Sequence, residues 1–293
     1  MDPAMDWGDA HGAIVYEDGI AIGFGDNEYG QCAFPRIFQG IAYKDVACGG
    51  YHTVLLLEDN GTVACGSNTQ GQCMIPEPPS PIWPMIESYY TRVSAGWKHT
   101  LLLRSDGQAI AVGDNRRGQC EVPMLQHGLI YKEIAAGTNH SLFLISDGTV
   151  VACGCGPPRS CDVPPLPKGL WYTQISGGTS HSLLLRSDGQ AIGFGDNHLR
   201  QCSFPALEEG MIYTHVSAGH THSVLIRADG MAVACGGSQE ETAEPFDFNN
   251  IPILPLGMRY VGCCAGFLNT MLLRSDGSVI ALGDNSFGQL NIP

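Results

Sequence analysis

The chain has 293 residues, 44% of them hydrophobic, and carries 29 acidic against 15 basic side chains, a formal charge of −14. Nucleic-acid phosphates demand a basic face, so this balance argues against DNA or RNA as a partner. No stretch approaches the ~18–20 continuous apolar residues of a membrane-spanning helix, and the opening MDPAMDWGDA lacks the basic region and apolar core of an export signal. The expectation is therefore an intracellular protein, cytoplasmic by default, with no membrane partner.

Taken in order, the chain repeats itself. A Gly-x-x-His step recurs at Gly8/His11, Gly49/His52, Gly96/His99, Gly137/His140, Gly178/His181 and Gly219/His222, with Gly266/Asn269 as a seventh copy whose histidine is replaced. Successive anchors lie 41 or 47 residues apart, a period that suits propeller blades or a solenoid. The first unit looks truncated, because only Met1 to Trp7 precede Gly8. A ring would then need both termini in a shared blade, which places Met1–Trp7 near the last repeat.

The third unit shows the pattern most clearly. Tyr89–Ser94 and Thr100–Arg104 are short runs of β-formers, too short for helices, and read as strands. Asp106-Gly107 reads as a two-residue type I′ hairpin turn, repeated from Asp18-Gly19 through Asn60-Gly61 to Asp276-Gly277. A third strand, Gln108–Gly113, an Asp-Asn-x-x-Gly turn and a short fourth strand ending at Pro123 complete the unit. No window shows a helical period near 3.6 over ten or more residues. The fold expected is all-β: one domain over residues 1–293, a seven-bladed β-propeller of four-stranded antiparallel blades, closed using both termini.

Gly96–Gln119 and Gly178–Gln201 also carry the pattern G-x-x-H-[ST]-x-x-L-x-x-[SD]-D-G-x-x-x-x-x-G-x-N-x-x-G-Q, with Arg200 in place of the last glycine. This resembles the repeat of the regulator of chromosome condensation family, and the Val-Pro or Phe-Pro unit endings resemble a compact secreted bacterial β-lactamase inhibitor of the same superfamily. The resemblance implies a seven-bladed propeller. It also implies a range of roles: nucleotide exchange on a small GTPase, light sensing, enzyme inhibition, or substrate recognition in a ubiquitin ligase. A fold that hosts several functions does not choose among them.

Residues present in every unit are explained by the unit. The six histidines read as structural groups bonding backbone at the Gly-x-x-His bend. Cys32, Cys73, Cys120, Cys161 and Cys202 share one repeat position, and Cys65, Cys153 and Cys235 another. Equivalent positions in neighbouring blades exceed the ~5.5 Å Cα spacing of a disulfide, so these cysteines read as small buried side chains. Cys153, Cys155, Cys161, Cys263 and Cys264 lack the paired Cys-x-x-Cys spacing of a zinc site. No Ser-His-Asp or Cys-His set breaks the repeat, so no catalytic residue, metal or cofactor is assigned.

Function is expected where the units differ. The pair between Gly and His changes from blade to blade and supplies Tyr51, Trp97, Lys98, Asn139, His220, Phe267 and Leu268. The pair inside Asp-Asn-x-x-Gly gives a second candidate face, with Arg116 and Arg117. Three linkers also depart from the repeat: Glu77–Ser88 with Trp83, Cys155–Ser160, and the acidic Gly237–Asn250 with Phe246 and Phe248. Exposed aromatics and arginines are favoured anchors of binding hot spots. These residues point to a non-enzymatic scaffold for a protein partner, either alone or as part of a larger complex. The alternatives are an exchange factor for a small GTPase, an inhibitor propeller, or the recognition part of a ubiquitin ligase.

Overall fold

The computed structural model describes residues 3–35, 41–78, 88–154, 160–237 and 251–292. Trp83 and the departures at 155–159 and 238–250 lie outside the described residues. The described chain forms seven antiparallel sheets of three strands each. In the third blade these are an inner strand Tyr90–Ala95, a middle strand His99–Arg104 and an outer strand Ala109–Gly113. All three lie within a residue or so of their expected positions. The inner strands of successive blades touch one another around a central channel, and the first meets the seventh.

Two local expectations are corrected. The fourth strand is absent from the described sheets because turn chemistry captures its backbone. Asn115 Oδ1 accepts the Cys120 N–H at 2.9 Å, and the Glu121 and Val122 N–H groups go to the Gly118 and Cys120 carbonyls at 3.0 Å each. Amides held in this way cannot join a ladder. The Asp-Gly hairpins are also not type I′. Gly107 has φ of +77°, whereas Asp106 stays out of the left-handed region. The Arg104 N–H bonds the Gln108 carbonyl and the Gly107 N–H bonds the Arg104 carbonyl. That is a three-residue loop with glycine at its left-handed position. In the second unit Asn60, with φ of +69°, takes that position and the strand register is unchanged.

The freed segment crosses to the next blade. Gln72 lies under Gly113, where a Cβ on the glycine would come 3.1 Å from the glutamine's Cβ. Gln289 of the last unit sits likewise against Gly25 of the first. At the other terminus, Ala4–Trp7 is the inner strand of the first sheet, pairing with His11–Val15. The first unit is therefore not truncated, and no described sheet draws strands from both termini. Closure comes by packing instead. Trp7, Ile14, Phe24, Cys264 and Met271 form one cluster across the joint, and the Cys264 thiol reaches Asp6 Oδ1 at 3.2 Å.

The core consists of such clusters between neighbouring blades, fed by fully buried middle strands such as Val54, Leu55 and Leu56. Burying a leucine side chain stabilises by about 1.5–3 kcal/mol, so the seven apolar middle strands dominate the folding energy. Among the described residues ten cysteines are free. Cys161 departs from the expected small buried thiol, being disulfide-bonded.

Candidate functional site

The repeated histidines are joints between blades. His99 Nε2 lies 3.0 Å from Ser141 Oγ of the next blade, and that hydroxyl donates to the Gln119 carbonyl at 2.7 Å. Having given its proton to the carbonyl, the hydroxyl can only accept from the ring, so Nε2 carries the hydrogen, and burial keeps the ring neutral. The same relay links His11 to Thr53, His52 to Thr100, His140 to Ser182, and His181 to Ser223. His222 meets Thr270 at 2.9 Å. Burial pushes these imidazoles down to about 3 or 4.

Asn269 is explained by the same geometry. Its neighbour across the last joint offers Gly12 where the other blades offer Ser or Thr. A Cβ at Gly12 would fall 2.7 Å from both the Phe24 and Trp7 rings, so no hydroxyl fits there. Without that acceptor a histidine has no role, and Asn269 donates instead to the Asp284 carbonyl at 2.6 Å. Among the described residues no group of three His, Cys, Asp or Glu side chains is placed to hold a metal ion.

The residues left free of the joints gather on one face. Each blade runs up, down and up, so the Gly-x-x-His loop and the Asp-Asn-x-x-Gly loop emerge at the same end. They are also bonded to each other, as the Asp26 N–H to the Ala10 carbonyl and the Asp114 N–H to the Lys98 carbonyl show. The two candidate faces are therefore one. It surrounds a mouth of the central channel, a cavity of about 370 Å³ whose walls include Asp9, Trp97, Thr138, His220 and Phe267.

On this face the rings are grouped. Tyr29 lies 5.4 Å from Tyr51, and Tyr51 lies 6.0 Å from Trp97 at 79°. Across the mouth, His220 stacks on Phe267 at 3.9 Å. Lys98, Asn139 and Leu268 are half-buried beside them, while Arg117 is exposed. Arg116 is held by Asp114, Nε to Oδ1 at 2.7 Å and Nη2 to Oδ2 at 3.0 Å, which also holds that carboxyl below its ordinary range.

Sequence reasoning set Tyr29 on a separate face and left Asp9 out of the candidate set. Strand parity, two strands carrying the chain away from the Gly-x-x-His loop and back to the same end, was the signal that joins them. It also left out Ile130, Trp171 and Ile212, exposed at the opposite end, where Trp171 packs against Gly148 of the hairpin turn.

Comparison with known proteins places these features. The family description "Regulator of chromosome condensation (RCC1) repeat" matches residues 43–72, 90–119, 131–157 and 172–201. No curated protein sequence matches the chain. Human WBSCR16 superposes with a TM-score of 0.70 at 16% identity, over 91% of this chain and 85% of that one. Prp20p from Saccharomyces cerevisiae gives 0.67 at 20% identity, over 84% and 73%. The ectodomain of the Physcomitrella patens receptor kinase CR4 gives 0.70 at 18%, over 97% and 73%. At these identities the likeness is one of fold.

Proposed function

We propose that this chain, four of whose units match the regulator of chromosome condensation (RCC1) repeat, is a non-enzymatic platform that binds a protein partner through the face around the channel mouth. The observation that carries this is the gathering of Tyr29, Tyr51, Trp97, His220 and Phe267 on that face, in loops that the blade architecture does not constrain. Stiff rings on a rigid ring of sheets bind with little loss of conformational freedom. The acidic balance favours protein over nucleic acid. In this reading the chain acts as one component of a complex.

The test is quantitative affinity capture from native extract with the wild type and a Trp97→Ala plus Phe267→Ala variant. The expected outcome is a loss of partner recovery of tenfold or more, since central aromatic anchors commonly contribute ~2 kcal/mol or more each. Undiminished recovery, with the variant's melting temperature unchanged, would remove this face from consideration.

A second reading, nucleotide exchange on a small GTPase, draws on the likeness to Prp20p, a structure described together with that protein's binding to Gsp1p and histones. Release of labelled GDP from a panel of small GTPases separates the two: acceleration of any one of them would favour exchange.

A further inference from the structure

The first blade differs from its equivalents in how it treats the acid that opens the Asp-Asn-x-x-Gly loop. In the third blade Arg116 neutralises Asp114, and in the fifth His198 Nδ1 lies 2.5 Å from Asp196 Oδ1. In the seventh, Ser286 donates to Asp284 at 2.5 Å. The first blade has Glu28 in that place, exposed and of the same sign as Asp26. Asp26 is left with the Glu28 N–H at 3.1 Å and the Gln31 amide at 3.0 Å as its hydrogen-bond donors.

The neighbouring Asp9 adds to this charge. It is half-buried, takes a hydrogen bond from the Tyr51 hydroxyl, and has no basic partner among the described residues. Burial first, then the nearby Asp26 charge, pushes the Asp9 carboxyl above its ordinary value. Burial and then the Asp9 charge push the Tyr51 phenol up. Three carboxylates thus stand beside three grouped rings, of which Tyr29 is the most open at 51% exposure. A negative ring face attracts a cation, and a desolvated carboxylate strengthens that attraction.

We propose that this sector, Asp9, Asp26 and Glu28 with Tyr29, Tyr51 and Trp97, receives a lysine or arginine side chain from a basic segment of the protein partner. The assignment rests on the reading of this face as a docking surface and gives its partner a chemistry. Charge complementarity carries it. Asp114, Asp196 and Asp284 are answered by Arg116, His198 and Ser286 within their own loops, whereas Asp26 has the acid Glu28 in that place and Asp9 has only the Tyr51 hydroxyl.

The experiment titrates the purified full chain with acetylated octalysine and octaarginine, using octaglutamate as the opposite probe, and reads fluorescence anisotropy. One basic peptide or both bind saturably at one per chain. Affinity falls on the order of tenfold in Glu28→Arg and in Trp97→Ala. It is retained in Glu208→Arg, the same change of charge at an exposed position beyond this face. Preference between the two peptides names the side chain.

Equal loss in Glu28→Arg and Glu208→Arg would reduce the effect to net charge and overturn the proposal, as would absence of binding. If Trp97→Ala plus Phe267→Ala abolishes partner capture while peptide binding ignores Glu28→Arg, the docking face stands and only the cationic assignment falls. The converse result removes the docking reading instead. Glu28 is exposed in a turn, and a thermal melt confirms that its variant is folded.

Discussion

A buried histidine that stays neutral makes stability depend on pH with a definite sign. Unfolded, each imidazole titrates near 6.5; folded, the six titrate at about 3 or 4. As pH falls below 6.5 the unfolded chain takes up protons that the native ring refuses, so stability is lost. Three buried acids act oppositely. Asp6 and Asp45 are pushed up to about 6 and Glu133 to about 7, each chiefly by burial. Between their ordinary values and these, the folded chain holds protons the unfolded one has released, so stability falls as pH rises through that window.

From about pH 6 down to 4.5, six protons favour the unfolded state against three favouring the native one, each worth about 1.4 kcal/mol per pH unit. The melting temperature should therefore drop from pH 7 to pH 5. Glu133→Gln, which removes one opposing proton, should steepen the fall. A flat profile over that range would contradict neutral buried rings. The sequence showed that these histidines were structural, because a group repeated in every blade cannot define one site. It could not show the partner, since the hydroxyl lies 42 or 48 residues away. The exchange of His for Asn at 269 made sense only once Gly12 was seen facing it.

At the scale of elements, the turns and three strands per unit were legible because alternation and glycine placement are local signals. The fourth strand was misread because its residues suit a strand until the preceding Asn and nearby carbonyls claim its amides. Also hidden was how the inner strands protect their open edges. Side chains of one blade take the free N–H groups of the next: Ser94 accepts from Ala136, Ser176 from Ala218 and Ser217 from Ala265, each at 2.9 Å. Asp6 does the same for Cys48 at 2.8 Å. An unpaired buried amide costs about 1–3 kcal/mol, so each serine keeps a sheet edge from becoming a liability. Ser217→Ala should lower unfolding free energy by that amount in urea denaturation with an unchanged m-value. A change under ~0.3 kcal/mol would show that water replaces the hydroxyl.

At the scale of the whole molecule, self-similarity announced a ring and its closure, while the candidate site was only half legible. Which loops vary can be read directly. That they share one face follows from counting the two strands that separate the Gly-x-x-His loop from the Asp-Asn-x-x-Gly loop. The charge of the first blade's sector was invisible while its two loops stood on different faces. Trp83 and the acidic linker stay outside this account, since both fall beyond the described residues.

The joint between the last blade and the first has a further consequence. Six junctions are latched by an imidazole and a hydroxyl, whereas this one is fastened by Trp7, Phe24 and Met271 with a thiol on a carboxylate. Oily contacts yield without a directional threshold, so the hoop has a parting line. Amides of Trp7, Gly12 and Asn269 should exchange with deuterium sooner than those of Ala95, Thr100 and His99. During folding, this is where the two ends of the belt meet and the clasp snaps shut.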